Sequence, residues 1–448
     1  MIFYRRKEEM VMDLLLAFLA FAGAIIYCLC KDILLSVALL FGMAVFMAVG
    51  LHRGFTLSVL WNMVYRSRKT SFLVCQVLFL IGCLTALWRA SGTIAFFVYY
   101  GIKLITPHWF LLIAFVLSVL LSYALGSSFG TAGTAGVILM TLARSGNVDL
   151  LMTAGAVLSG AFVGERCSPL SSSALLISAV TGVEHNRFLR ASFKIGLLPL
   201  GLTTLIYAVM SWQNPIQNID AHVVAALQDS FYLGWPVMIP AILLVILPLC
   251  RVRIVPVILV SGAAALLLTV SAQQQSVLAT LVSCVVGYQA SAPALRNIFS
   301  GGGVVSMLNV IFIIALANGC AGIFQGTNML QPLQRYLDHM FERLHIFPSQ
   351  ILLSLFLSCV FCNQTIGITL ITQMTSNLYR QHDLPQEELA ADLNNSVVTI
   401  AALVPWSIAC AVPLSVMHVG VGALPYSVFL YLVPLCYLLV RRKHYCRS

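Results

Sequence analysis

A chain of 448 residues with 9% charged residues, 60% hydrophobic residues and a mean hydropathy of +0.96 has too few charges to cover a soluble fold, for which roughly 25% is usual. This excludes a soluble enzyme, a nucleic-acid binder and a secreted disulfide scaffold, and it argues against an outer-membrane barrel, whose strands would alternate apolar and polar residues. The net charge of +10 is no nucleic-acid signal, because the basic residues sit in short connections between apolar runs.

The first ten residues, MIFYRRKEEM, lead into an apolar run with no small-residue cleavage site, which reads as a retained first helix. Runs 11–30 and 33–51 form an opening pair of spanning length, about 20 residues each. The piece 54–65 is short, ends in Arg66, Arg68 and Lys69, and is expected at the interface. A first block covers 70–210. The connection 211–230 has Asp220 and Asp229 but no Lys or Arg, so it is expected to be external. Plain Leu/Val-rich runs at 231–249, 254–272 and 276–295 follow, then a second block over 302–440. Asp13 is expected at the interface, Lys103 and Lys194 should snorkel from span ends, and Asp383, Glu387, Glu388 and Asp392 read as a solvated loop, with Asp392 capping the next helix.

The expected organisation is therefore 1–69, a transmembrane pair with a basic loop; 70–210, a first transport repeat; 211–300, connecting helices; and 301–448, a second repeat with a basic tail. The fold class is an all-α polytopic membrane protein with roughly 10–12 transmembrane helices and two repeats containing discontinuous helices. Clusters at Arg5–Lys7, Arg66–Lys69, Arg251–Arg253 and Arg441–Lys443 place both termini in the cytoplasm under the positive-inside rule. Four crossings per block would conflict with a cytoplasmic Arg187/Arg190/Lys194 cluster and an external 211–230 connection. At least one segment is then re-entrant or broken.

Each block carries small and polar residues inside apolar surroundings. The first has LGSSFGTAGTAG at 125–136 and SGAFVGERCSPLSSS at 159–173. The second has NGCAGIFQGT at 318–327, CNQTIGIT at 362–369 and LVPWSIA at 403–409. Thr131 and Pro169 are 38 residues apart, and Thr365 and Pro405 are 40 apart. Trp88–Gly92 precedes the first set as Asn318–Gly322 precedes the second. Duplicated halves with interrupted helices are the sequence pointer to a secondary transporter.

Lipid cannot satisfy bare backbone groups, so irregular backbone there must line protein or water. Its freed carbonyls and neighbouring hydroxyls suit a small cation, and freed amides at a half-helix start suit an anion. On that chemistry Glu165, Ser128, Thr131, Thr134, Ser171, Ser172, Asn363, Gln364 and Thr365 are the candidate ion or substrate ligands, with Na+ at Glu165, Ser128, Thr131 and Asn363. Glu165 is the exchanging carboxylate, since an intramembrane acid is costly and functional by default. Arg166, Pro169, Pro405, Trp406 and His418 are accessory. The competing readings are close helix packing by small residues, ordinary proline kinks, a structural Glu165–Arg166 pair and a packing histidine. Nothing matches GxxxxGK[ST], and no catalytic arrangement stands out, so neither ATP-driven transport nor an enzyme is expected. The 13 cysteines lie mostly in apolar runs, and the Cys359/Cys362 CxxC lacks partners for a metal site. No cofactor is expected beyond transported Na+ and H+.

Leu87-Trp-Arg-Ala-Ser-Gly-Thr-Ile94, Gly126–Gly136 and Ser159–Ser171 together resemble the NhaC family of bacterial Na+/H+ antiporters; Val404-Pro-Trp406 and Leu424–Leu435 fit less specifically. The resemblance runs from about residue 70 to 440. It implies an inner-membrane, ion-coupled secondary transporter with repeated halves, and the family includes a malate–lactate exchanger. In the family run GDK-x-SPLSDTTN, Glu165 stands for the Asp and Arg166 for the Lys, Ser168–Ser171 match, Ser172 replaces the next Asp and Leu175 the Asn. The expected function is cation/proton antiport by alternating access; the alternative is coupled exchange or symport of a small carboxylate or amino acid, held by Arg166 and half-helix starts. The partners expected are the lipid bilayer and a small cation or organic anion, with no nucleic acid and with a homodimer left open.

Overall fold

The computed structural model describes residues 2–31, 33–104, 106–215, 221–250, 252–327, 340–341 and 343–445. Asp220 and Arg251 lie outside them, as do the side chains of Arg5–Lys7, Arg68, Lys69, Arg442 and Lys443. Among the described residues every regular element is a helix, with one isolated antiparallel bridge between Tyr288 and Gly301. The fold is that of an all-α polytopic membrane protein.

In chain order the helices are α1 (Ile2–Cys30), α2 (Leu35–His52), α3 (Leu57–Ala90), α4 (Thr93–Leu104), α5 (Phe110–Leu125), α6 (Ser128–Thr131), α7 (Val137–Ser145), α8 (Leu150–Cys167), α9 (Ser172–Thr181), α10 (His185–Gln213), α11 (Ala221–Ser230), α12 (Ile239–Leu249), α13 (Ile254–Ser271), α14 (Val277–Val286) and α15 (Pro293–Phe299). There follow α16 (Val304–Gly326), α17 (Ile346–Phe361), α18 (Gln364–Gln381), α19 (Gln386–Asn395), α20 (Val397–Ile400), α21 (Ile408–Val416) and α22 (Val428–Tyr445). Six described helices are long and apolar enough to cross a bilayer, or up to nine if each of three bent pairs is one span. The expected 10–12 is approached only by adding some of the four shorter apolar helices.

Several expected elements change. The piece 54–65 is no separate interfacial helix, because α3 runs through it and through the basic cluster without interruption. The connection 211–230 contains α11, and the run 276–295 is α14, an irregular stretch from Gly287 and the start of α15, after which comes a glycine-rich return at 301–303. NGCAGIFQGT is not broken either; it lies within α16 to Gly326. Its glycines serve packing: a Cβ on Gly322 would stand 2.7 Å from the Met63 carbonyl oxygen.

The chain divides into two compact units. One comprises 76–308 and 411–448, the other 1–75 and 309–410. In the first, α5 runs parallel to α8, since Gly160 meets Ser118 and Gly164 meets Ser122. The helical run 128–145 is antiparallel to α8, because Ser128 meets Glu165 and Gly136 meets Val157. The chain therefore reverses at Gly126 and Ser127 instead of merely breaking. Gly126 is left-handed (φ +64°) and Ser127 extended, its hydroxyl accepting from Gly130 N–H at 3.2 Å as an N-cap. The run 128–145 is itself disturbed by a π-helical turn at Ala132–Gly136. Such turns recur at functional sites.

The other unit repeats the device. α17 and α18 are antiparallel, with Tyr379 bonded to Gln350, and they reverse at Cys362 (φ +55°) and extended Asn363, which caps α18. Gly126 and Cys362 are 236 residues apart, as are Pro169 and Pro405. The two turns match in local geometry at a spacing of 236 residues, not the 234 implied by pairing Thr131 with Thr365. In this unit Phe18, Phe46 and Phe324 form an aromatic core, with Phe46 and Phe324 ring centroids 4.7 Å apart.

Candidate functional site

In the first unit the turn at Gly126 faces a second break at Ser168–Ser171, between α8 and α9. A Cβ on Gly126 would stand 2.5 Å from the Leu170 carbonyl carbon. Pro169 sits exposed in this break and contributes no N–H. The polar groups freed there find partners. Ser168 Oγ donates to Tyr123 O (2.7 Å), Ser171 Oγ donates to Glu165 O, and Ser171 Oγ accepts from Ala174 N–H (3.2 Å), capping α9. Short serines serve both breaks because their hydroxyls reach nearby backbone.

Glu165 lies in the last turn of α8 at 7% exposure. Its Oε2 accepts from the Ser128 backbone N–H at 3.0 Å, and its Oε1 accepts from Ser173 Oγ. Ser128 N–H is one of the amides that the start of a helix leaves without an intrahelical acceptor, and the positive end of that helix favours the carboxylate. Both partners are neutral. Arg166 does not pair with Glu165; its guanidinium is buried over the Phe429 ring, 5.7 Å from the centroid. Adjacent residues on a helix face different ways.

The hydroxyls of Thr131 and Thr134 donate back along the helix, to Ser127 O (2.9 Å) and Gly130 O (2.7 Å), supporting the turn and the π-helical segment. Ser172 is exposed, and the serine that reaches the carboxylate is its neighbour Ser173, which sequence reasoning missed. Three consecutive serines carry no signal for which one faces inward. Near the same helix Ser159 Oγ and Tyr207 OH pair at 2.7 Å, and Tyr207 OH donates to Tyr426 O at 2.6 Å, tying α8 and α10 to the segment before α22.

In the other unit Asn363 Oδ1 accepts from Thr365 N–H (2.9 Å) and Ile366 N–H (3.4 Å), and its Nδ2 donates to Asn318 Oδ1 (3.4 Å). Its carbonyl oxygen is thus engaged in capping. Gln364 is half-buried and Thr365 exposed. Asn318, Met63, Ser67, Gly322 and Ile366 line a cavity of about 440 Å³. Pro405 and Trp406 occupy the second break. Trp406 Nε1 donates to Cys359 O (2.8 Å) and Ile408 N–H to Cys362 O (2.8 Å), so turn and break face each other here too.

Asp392 corrects the sequence reading. It is neither solvated nor a cap; Pro385 stands at the N-cap of α19 and Asp392 is wholly buried inside the helix. Its carboxylate accepts from Tyr379 OH, whose oxygen also stands 2.8 Å from Gln350 Oε1. Nearby acids at 383, 387 and 388 made the stretch read as solvent-facing. Among the described residues no group of three or more His, Cys, Asp or Glu is placed to hold a metal ion.

A sequence model described as the Na+/H+ antiporter family matches residues 8–212 and 202–440. The malate-2H(+)/Na(+)-lactate antiporter of Bacillus subtilis is 24% identical, with 84% of this chain and 82% of the relative covered. The Na(+)/H(+) antiporter NhaC of Alkalihalophilus pseudofirmus is 25% identical over 80% of this chain and 79% of its own length. The arginine/ornithine antiporter ArcD of Halobacterium salinarum is 24% identical over 79% and 75%.

Proposed function

The chain belongs to the Na+/H+ antiporter family of secondary transporters, and from that premise we propose that it exchanges Na+ for H+ across a bacterial inner membrane, with both termini cytoplasmic. Glu165 is the exchanging carboxylate. The observation that carries this reading is a buried carboxylate whose partners among the described residues are a helix-start amide and a serine hydroxyl, at the meeting of a turn and a break.

A proton and a Na+ ion compete for the same oxygens. Protonation places the proton on a Glu165 oxygen and removes the charge that attracts the cation. Na+ instead takes the ionised carboxylate together with hydroxyl oxygens of Ser128, Ser171 and Ser173. Thr131 and Thr134 act one step back, by keeping the turn and the π-helical segment in shape. Asn363 acts as the matching cap of the second repeat. Asp392 is a second buried acid among the described residues, available to carry a proton.

Glu165→Gln tests the reading. In proteoliposomes it abolishes Na+-dependent proton flux measured with a pH dye; unchanged flux would remove Glu165 from the mechanism. The malate–lactate activity named for the Bacillus relative favours a second reading, coupled exchange of a small carboxylate. A panel of labelled ions and acids separates the two.

A further inference from the structure

The first unit holds a second polar cluster, which neither turn nor break uses. Arg89 lies in the last turn of α3 and is 1% exposed. Its Nη1 donates to Thr85 O at 3.3 Å, while its buried Nε has no hydrogen-bond partner among the described residues. Arg144, in the last turn of α7, is half-buried and donates Nη2 to Met417 O at 3.4 Å. His418 follows in the turn after α21 with a left-handed backbone (φ +55°) and an open side. Gly301, in the glycine-rich return after α15, leaves the space between them clear. The point where its Cβ would stand is 3.9 Å from Arg89 Cζ, Arg89 Nη2 and His418 Nε2 alike.

Arginine at a helix C-terminus is ordinarily explained by the dipole and the last carbonyls. That accounts for one long bond per guanidinium. Each guanidinium carries five N–H donors in a planar fork, and among the described residues neither has a carboxylate within ion-pair distance. Two cations and an imidazole gathered without an acid, one cation fully desolvated, form an arrangement that an anion would complete.

We propose that Arg89, Arg144 and His418 form a binding site for a small organic carboxylate. The proposal deepens the second reading above and rests on the chain being an antiporter. The site is separate from Glu165: Ser128, which bonds Glu165, and Arg144 are 16 residues apart on the helical run 128–145, about 24 Å along its axis at about 1.5 Å per residue. The planar carboxylate matches the guanidinium fork in a bidentate way that a spherical halide cannot. His418, at the open side, selects among carboxylates by donating to or accepting from a hydroxyl or a second carboxyl group.

The test uses the full-length protein in nanodiscs, with binding read by calorimetry and thermal midpoint for lactate, malate, succinate, phosphate and chloride. At least one carboxylate binds more tightly than phosphate and chloride. Arg144→Gln weakens it about tenfold or more, as loss of a charge-assisted bond implies, and His418→Gln changes the ranking among lactate, malate and succinate. Arg89→Lys, which keeps the charge and the fold, weakens it as well by removing the fork. Absence of carboxylate binding, equal binding of phosphate or chloride, or undiminished binding in Arg144→Gln and Arg89→Lys overturns the proposal. Glu165-dependent proton flux, measured in parallel, keeps the two ideas apart. Flux without carboxylate binding sinks this site and leaves Na+/H+ exchange standing; carboxylate binding without flux does the reverse.

Discussion

Gly126 and Leu170 touch backbone to backbone, with no room for a methyl group between them. Gly126 is also left-handed, which costs an L-residue roughly 1–2 kcal/mol. Gly126→Ala therefore combines strain with overpacking, which adds about 1–3 kcal/mol. It should lower the thermal midpoint sharply and abolish flux. At the matching turn Cys362 already carries a side chain, so Cys362→Ala should be mild. Equal midpoints for the two variants would refute the close contact.

Ser173 and Ser172 are neighbours with different fates. Ser173→Ala removes a hydrogen bond to a buried carboxylate, worth about 1.5–3 kcal/mol, and should change apparent Na+ affinity by about tenfold or more. Ser172→Ala should leave flux within twofold. Kinetics in proteoliposomes across Na+ concentrations would show the reverse order if the helix were rotated by one residue.

Tyr379 donates to Asp392 inside the second unit. Tyr379→Phe removes that donor and should destabilise the protein by about 1.5–3 kcal/mol, visible as a lower midpoint in detergent. Asp392→Asn keeps the volume and should be gentler on stability. A midpoint for Tyr379→Phe at the wild-type value would argue that the carboxylate does not depend on the tyrosine.

His418 lies outside the helices, and the surrounding protein with the Arg89 and Arg144 charges holds its imidazole down, to about 4. Its ordinary value is about 6.5. The unfolded chain therefore takes up the proton first, and folded stability declines as pH falls from about 6.5 to 4. Over that window the wild-type midpoint should drop further than that of His418→Gln. A bound carboxylate should shrink the difference, because it opposes the guanidinium charges. Parallel midpoint curves for both proteins would contradict this account.

Much of the fold was legible because lipid leaves few options. Apolar runs gave the end of α1 and both limits of α2 and α13 to within two residues, while α1 begins nine residues before its apolar run, and dense Gly, Ser and Thr marked the turn at Gly126 and the break at Ser168–Ser171. The sequence did not distinguish a glycine that turns the chain from one that lets helices approach, so 318–327 read as an interrupted stretch alongside 125–136 although it is continuous helix to Gly326. Nor does a cysteine at Cys362 announce a left-handed turn. The burial of Glu165 beside the turn is what its isolation among apolar residues led one to expect. The placements of Ser173, Asp392 and Arg89 were not legible, because they depend on helix rotation, on which face is covered, and on the return of a distant glycine loop.

Glu165 is restrained by a backbone amide and a hydroxyl, neither of which cancels its charge. On the proposed reading an unloaded Glu165 is then an ionised carboxylate, and carrying that charge through a low-dielectric barrier is costly. A proton or a monovalent cation neutralises the carboxylate itself. Exchange without slippage would follow from this electrostatic penalty alone: the vacant carrier is held back, and each loaded form is free to reorient.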